Sequence, residues 1–320
     1  MKKEDLKIVF LGTPDFAVAS LDRLVTEGYN IAAVVTMPDK RAGRGHGLFQ
    51  SPVKEYALAH NLPVLQPERL KDEAFVNALR LIDADLFIVI AFRMLPEVVW
   101  RMPRLGTFNL HASLLPRYRG AAPINHAVMN GDAETGVTTF FLKHEIDTGD
   151  ILRQERITIG PDENVGSVHD RLMELGAELT VDTVRHILKG DLTPMPQDEL
   201  LGDEEPTPAP KIFKDTCRID WHRPARQVHN FVRGLSPYPA AWSEIHGDTT
   251  APTEIKIFET RVLDENVIGI PGTVLVKGNS MYVQCEPGQV EVLSLRPAGK
   301  KQMPAADYLR GARLVNPSFK

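Results

Sequence analysis

Asn109 and His111 stand two residues apart in T-F-N-L-H-A-S-L-L-P-R-Y-R-G, Thr107 to Gly120. Side chains alternate along a strand, so this spacing puts the amide and the imidazole on one face. An amide offers a hydrogen-bond donor to an oxygen that gains charge, and an imidazole offers a base to an attacking nucleophile. Asp147, in I-D-T-G-D-I-L from Ile146 to Leu152, is the candidate third group. A carboxylate hydrogen-bonded to His111 would fix its tautomer and stabilise its protonated form. A plainer reading stands beside this one on residue types alone: His111 caps a strand end and Asn109 holds the following loop.

Other chemistries find less support. G-T-P-D-F at Gly12 to Phe16 lacks the G-x-G-x-x-G spacing that brings backbone against a pyrophosphate, and no G-x-x-x-x-G-K-[ST] occurs, so dinucleotide oxidoreductases and Walker-type NTPases are disfavoured. Asp147-Thr148-Gly149 suggests one half of an aspartic-protease dyad, but the chain has no second D-T-G or D-S-G. His126, His144, His169 and His186 with Asp147 leave a zinc site open, although no H-x-x-x-H or H-x-H pair supports it. No metal is expected.

The elements that must position these residues are legible from periodicity. A buried strand over Leu6 to Leu11, a turn at Gly12 to Asp15, a helix with Phe16, Leu21 and Leu24 on its apolar face and a strand over Ile31 to Val35 make a βαβ unit. The pattern repeats: a helix over Val53 to Ala59, a short strand near Val64, a helix over Glu73 to Leu81, a strand over Leu86 to Ala91, a short helix around Pro96 to Arg101 and a strand over Gly106 to Leu110. His111 thus falls at the carboxyl end of a strand, the edge where open α/β sheets bind ligands. Antiparallel strands follow at Gly136 to Leu142 and Ile151 to Ile159, then a long helix with Val165, Val168, Leu172, Leu175 and Leu179 on one face. Between Gly190 and Ile212, five prolines alternate with acidic residues, which predicts an extended, semi-rigid spacer. Beyond it come a helix over Ala225 to Val232 and short strands at Ala241 to Ile245, Glu254 to Thr260, Gly272 to Lys277, Met281 to Cys285 and Val290 to Leu295. Gly278-Asn279 forms a hairpin turn among them. The fold class is α/β: a doubly wound Rossmann-like domain over 1–189, a proline-rich acidic linker over 190–212 and a small OB-like β-barrel over 213–320.

Composition agrees with a globular chain. The 320 residues are 25% charged and 43% hydrophobic. The longest apolar run, Leu86 to Phe92, is far short of the roughly 20 residues of a transmembrane helix, and Ile8 to Leu11 is too short for a signal-peptide core. A cytoplasmic protein is expected, without a membrane partner. Two cysteines are too few for a disulfide scaffold. Residues 1–210 hold 22 Lys and Arg against 31 Asp and Glu, whereas 211–320 hold 15 against 11. A basic C-terminal part is compatible with a polyanionic partner, and equally with a mildly basic surface that has none.

The chain resembles the methionyl-tRNA formyltransferases along nearly its whole length. The matching motifs are G-T-P-D-F at Gly12, P-D-K-R-A-G-R-G at Pro38 to Gly45, N-L-H-A-S-L-L-P-R-Y-R-G-A-A-P-I at Asn109 to Ile124, G-D-A-E-T-G-V-T at Gly131 to Thr138, I-D-T-G-D-I-L at Ile146, and R-G-L-S-P-Y-P-A-A-W at Arg233 to Trp242. The resemblance implies that Asn109, His111 and Asp147 are catalytic, that 10-formyl-tetrahydrofolate is the formyl donor, and that the acceptor is the α-amine of initiator methionyl-tRNA. It implies a folate pocket around Ile90, Phe92, Leu95, Ser113, Leu114, Leu115 and Pro116. It also implies that the loop from Pro38 to Gln50, with Arg41 and Arg44, meets the tRNA acceptor end. Lys211, Lys214, Arg218, Arg223, Arg226 and Arg233 would track tRNA phosphates, and the family expectation is a monomer. One departure stands out: Phe92 and Arg93 occupy a position where many family members have Tyr-Gly. The rival acceptor is an amino-sugar nucleotide, and the rival class is a non-catalytic RNA-binding protein on this scaffold.

Overall fold

The computed structural model describes residues 2–41, 48–201, 205–247, 250–312 and 314–320. The chain divides into two compact units. The first comprises Met1–Gly120, Gly136–Ile157 and Asp170–Pro208; the second comprises Ala121–Thr135, Thr158–His169 and Ala209–Lys320. Among the described residues, no helix is long and apolar enough to cross a membrane.

The sheet of the first unit is wound in both directions from the strand Lys7–Gly12, which pairs in parallel with Asn30–Val35 on one side and Leu86–Ile90 on the other. Val64–Leu65 extends the sheet beyond Asn30–Val35, and Thr107–His111 extends it beyond Leu86–Ile90, both in parallel. Glu134–Phe141 then pairs antiparallel with Thr107–His111, and Ile151–Thr158 completes that edge. This is the expected doubly wound sheet with an antiparallel edge. Parallel strands are covered on both faces, which is why Leu86–Ile90 is apolar and buried at every position. At Gly12 the chain turns into the helix Asp15–Thr26 so tightly that a Cβ would lie 2.7 Å from the Ala17 Cβ and 3.2 Å from the Ile90 carbonyl oxygen. The helix Val165–Lys189 runs ten residues past the expected apolar stripe. A Cβ on its Gly176 would stand 2.7 Å from Leu110, and its Thr183 hydrogen-bonds Thr139 at 2.8 Å.

Most described residues of the stretch 190–212 are exposed, but Met195 and Gln197 are tied into the first unit. Met195 exchanges two backbone hydrogen bonds of 2.8 Å with Ile151, and Gln197 is 2% exposed. Prolines remove donors, but the residues between them keep theirs, and in an extended backbone those donors reach the neighbouring strand and loop.

In the second unit the strands run in the order Val274–Lys277, Ser280–Gln284, Gln289–Pro297, Thr250–Asp264, Ala241–Gly247, Ser318–Phe319. The two ends of this series meet. Val274 N–H donates to Pro317 and Phe319 N–H donates to Gly272, so the antiparallel sheet closes nearly into a barrel, the OB-like arrangement expected. The 15-residue strand Thr250–Asp264 carries three register shifts, which let it curve around the barrel. Inside, Trp221 stacks on Phe319 at 5.4 Å and donates its indole N–H to Ser243. Ile245, Ile255, Met281 and Leu295 fill the space around them. The helix Ala225–Leu235 packs against Pro123–Asn130, which approaches so closely that a Cβ on Gly234 would lie 2.4 Å from Met129.

Candidate active site

The strand Thr107–His111 brings Asn109 and His111 to the carboxyl end of the sheet, as the alternation required. Asn109 lies between Val89 and Phe140 in register, and His111 lies opposite Thr138. His111 is buried, with its ring edge-on to Phe140 at 6.4 Å. Asn109 is half-buried, and among the described residues nothing hydrogen-bonds its side-chain amide.

The His111 ring is held by a group that sequence reasoning missed. Its Nε2 lies 2.8 Å from the Tyr118 carbonyl oxygen. A carbonyl only accepts, so Nε2 carries the hydrogen and the neutral ring keeps its lone pair on Nδ1. Nδ1 faces Asp147 Oδ2 at 3.9 Å. That distance suits an ion pair with the protonated ring and is too long for a hydrogen bond. The expectation that Asp147 fixes the tautomer is therefore corrected: the Tyr118 carbonyl does so, because the backbone there turns back toward the strand end. Asp147 Oδ2 accepts instead from the Gly120 N–H at 2.9 Å.

Two loops thus meet at His111, and both depend on unusual backbone. Tyr118 has φ +63° and Asp147 has φ +55°, a left-handed conformation that non-glycine residues adopt rarely and that clusters at functional sites. In the Asp147 loop, a Cβ on Gly149 would lie 1.5 Å from the Phe141 carbonyl oxygen, so only glycine fits there. In the Ser113–Pro116 segment, Thr138 donates its hydroxyl to the Ser113 carbonyl and accepts from the Leu115 N–H. Gln154 donates to the Leu115 carbonyl at 2.7 Å and to Thr138 at 2.9 Å. The segment is latched to the two antiparallel edge strands.

Of the residues assigned to a folate pocket, Ile90, Leu95, Ser113, Leu115 and Pro116 are buried, while Phe92 and Leu114 are half-buried and keep surface for a ligand. The departure at Phe92-Arg93 has a structural account. The Arg93 guanidinium donates to the Glu68 and Pro67 carbonyls and stands 5.4 Å from the Phe92 ring. Its Nε is buried with no hydrogen-bond partner, and burial pushes its pKa down. Arg93 thus ties this turn to the segment at 67–68.

The cations assigned to tRNA separate into three sets. Lys214 and Arg218 lie 5.5 Å and 5.3 Å from the Trp242 ring, and Lys211 lies 5.5 Å from the Phe213 ring. Lys211 and Lys214 border a cavity of about 450 Å³ whose lining includes Phe213, Tyr238 and Trp242; Lys214 also pairs with Glu254 at 2.7 Å, and Arg218 with Glu244 at 3.9 Å. Arg223 pairs with Asp220 and Arg226 with Glu265, both on exposed surface. Arg233 is a correction to the surface role: it is 6% exposed and donates to Asn230 Oδ1 and to the Gly160 and Glu163 carbonyls. Its position on the buried face of an amphipathic helix decided this. Arg41 lies in a two-residue strand, Lys40–Arg41, paired with Leu48–Phe49; Arg44 lies outside the described residues. Among the described residues, no group of His, Cys, Asp and Glu is arranged to hold a metal ion.

Comparison with known proteins adds an independent finding. Residues 6–184 match the formyl transferase family model, and residues 211–313 match that of the formyl transferase C-terminal domain. A methionyl-tRNA formyltransferase of Bacteroides fragilis is 59% identical over 316 residues, 98% of each chain. One of Porphyromonas gingivalis is 50% identical over 321 residues, 100% of this chain and 99% of the relative. Among solved structures, an N-formyltransferase from Helicobacter canadensis in complex with folinic acid and dTDP-3-aminofucose has a TM-score of 0.63 at 17% identity, covering 90% of this chain and 98% of its own. HypX from Aquifex aeolicus in complex with tetrahydrofolic acid has a TM-score of 0.62 at 21% identity, covering 94% of this chain and 46% of its own. At these identities the two structures bear on the fold alone.

Proposed function

The chain belongs to the formyl transferase family, and from that premise we infer that it is an enzyme that transfers a formyl group from 10-formyl-tetrahydrofolate to the α-amine of methionine on initiator methionyl-tRNA. The observation that carries this reading is identity at half or more of all positions, over nearly the full length, with relatives of that name. The same reading places the enzyme in the cytoplasm beside its tRNA, acting as a monomer.

The residues at the strand end fit the reaction. When bound, 10-formyl-tetrahydrofolate supplies a formyl group on a tertiary-amide-like nitrogen. Formyl transfer needs a donor for the oxygen that gains charge and a base for the amine proton, and Asn109 and His111 are a matching pair. The Asn109 amide, unspent within the described chain, donates to the formyl oxygen. His111 holds its Nε2 hydrogen on the Tyr118 carbonyl and keeps Nδ1 as the basic atom. Free α-amino groups titrate near pH ~8, so much of the acceptor is already neutral; His111 takes the proton released as the amine nitrogen bonds the formyl carbon, and that proton passes on to the donor nitrogen as its bond to the formyl carbon breaks. The imidazolium so formed faces Asp147 at 3.9 Å. In the second unit, Lys211, Lys214 and Arg218 beside Trp242 and Phe213 combine cations for phosphates with aromatic faces for unpaired bases.

The test is incubation of the purified protein with 10-formyl-tetrahydrofolate and charged initiator methionyl-tRNA, with free methionine and an amino-sugar nucleotide as parallel acceptors. Formylation of the charged tRNA alone is the expected result. Transfer to the sugar would overturn the acceptor, and transfer to none would overturn catalysis.

A further inference from the structure

We propose that Gln197 is a positioning residue for the His111–Asp147 pair, holding the two loops that face the His111 ring; this rests on the formyl-transfer reading of that pair. Gln197 comes from the proline-rich stretch and is 2% exposed. Its Nε2 donates to the carbonyls of Asp147 and Gly149, each at 2.8 Å. Its Oε1 accepts from Arg119 Nε at 3.0 Å and Nη2 at 2.7 Å. Two N–H groups and two lone pairs are all that a carboxamide has, and every one is used.

The partners give this arrangement its meaning. Arg119 sits between Tyr118, whose carbonyl holds His111 Nε2, and Gly120, whose N–H holds Asp147 Oδ2. The donor half of Gln197 therefore grips the backbone of Asp147, and the acceptor half grips the loop that orients His111. Gln197 touches neither reacting atom. It bridges loops whose relative placement sets the 3.9 Å between Nδ1 and Oδ2, and it does so where Asp147 adopts a left-handed backbone that needs external support.

Only a carboxamide serves both halves. Glutamate would keep an acceptor for Arg119 but set a carboxylate oxygen against two carbonyls, and methionine would fill the volume without hydrogen bonds. The experiment is a double-mutant cycle on the full-length protein: wild type, D147N, Q197M, and the double variant, with Q197E beside them. The readouts are kcat and KM for methionyl-tRNA, with thermal unfolding of each variant. Q197M and Q197E are expected to lower kcat about 10- to 100-fold with KM within about twofold, as a misplacement near 1 Å does. In the D147N background, Q197M is expected to cost at least several-fold less than it does in wild type, because the share that acts through Asp147 is already lost and only the share through the Tyr118 loop remains. An equal loss in both backgrounds would mean a general structural role and overturn the proposal, as would a wild-type rate for Q197M. If Q197M does not fold, Q197E carries the same cycle. A wild-type protein inert toward methionyl-tRNA but active on another amine would overturn only the acceptor, and the cycle would be run on that amine.

Discussion

Replacing Asp147 by asparagine removes the charge while keeping the shape, and the structure sets how much this should cost. The His111 and Asp147 side chains are 9% and 16% exposed and 3.9 Å apart. At an effective dielectric near 20, an imidazolium and a carboxylate at this separation attract by about 4 kcal/mol, against about 1 kcal/mol in bulk water. The partial exposure puts the loss at about 3 to 4 kcal/mol, so kcat should fall about 100- to 1,000-fold. The asparagine carbonyl can still accept from the Gly120 N–H, and the Tyr118 carbonyl still holds Nε2, so geometry and tautomer survive. That separates this pair from a serine-protease triad, where the same change gives the wrong tautomer and costs about 10,000-fold. The assay is quenched transfer of labelled formyl to charged initiator tRNA at saturating donor. A rate within about twofold of wild type would refute stabilisation of the imidazolium. A loss of 10,000-fold or more would show that Asp147, not Tyr118, fixes the tautomer.

Asn109→Ala should lower kcat about 100- to 1,000-fold while donor binding, measured by fluorescence quenching with a folate analogue, stays near wild type; an unchanged kcat would remove Asn109 from the oxygen site. Lys211→Ala should weaken tRNA binding and reduce the slope of log affinity against log salt by about one, and an unchanged slope would take Lys211 off the phosphates. His229 is 3% exposed, and burial lowers its pKa, opposed by Asp162 and assisted by Arg233 and Arg226. The folded state thus binds its proton less readily than the unfolded chain does. Stability from this residue is fully present above pH ~6.5 and is lost as pH falls through the lowered folded value. Thermal unfolding from pH 7 down to 5 should show this fall, and His229→Gln should flatten it; parallel curves would refute the assignment.

The sheet was legible because its signals are local. Apolar runs of strand length, Gly12 at the first turn and the helical spacing of Phe16, Leu21 and Leu24 each involve neighbours within a few residues. The pairing of Asn109 with His111 follows from the two-residue alternation of any strand. Charge sign was legible too, but its direction was not. Arg233 reads like Arg226 on composition, and only the face it occupies on the helix Ala225–Leu235 sends it inward to the Gly160 and Glu163 carbonyls.

What the sequence by itself determined is therefore the doubly wound sheet, the small barrel and the residue types gathered at one strand end, since periodicity and turn chemistry act over short distances. Tertiary structure alone decided how those residues work together. The Tyr118 carbonyl selects the His111 tautomer through a loop that doubles back, and Gln197 reaches Asp147 from 50 residues further along the chain and Arg119 from 78. Backbone carbonyls carry no side-chain identity, and hydrogen bonds at such separations depend on where folding brings the loops, so no local pattern announces them.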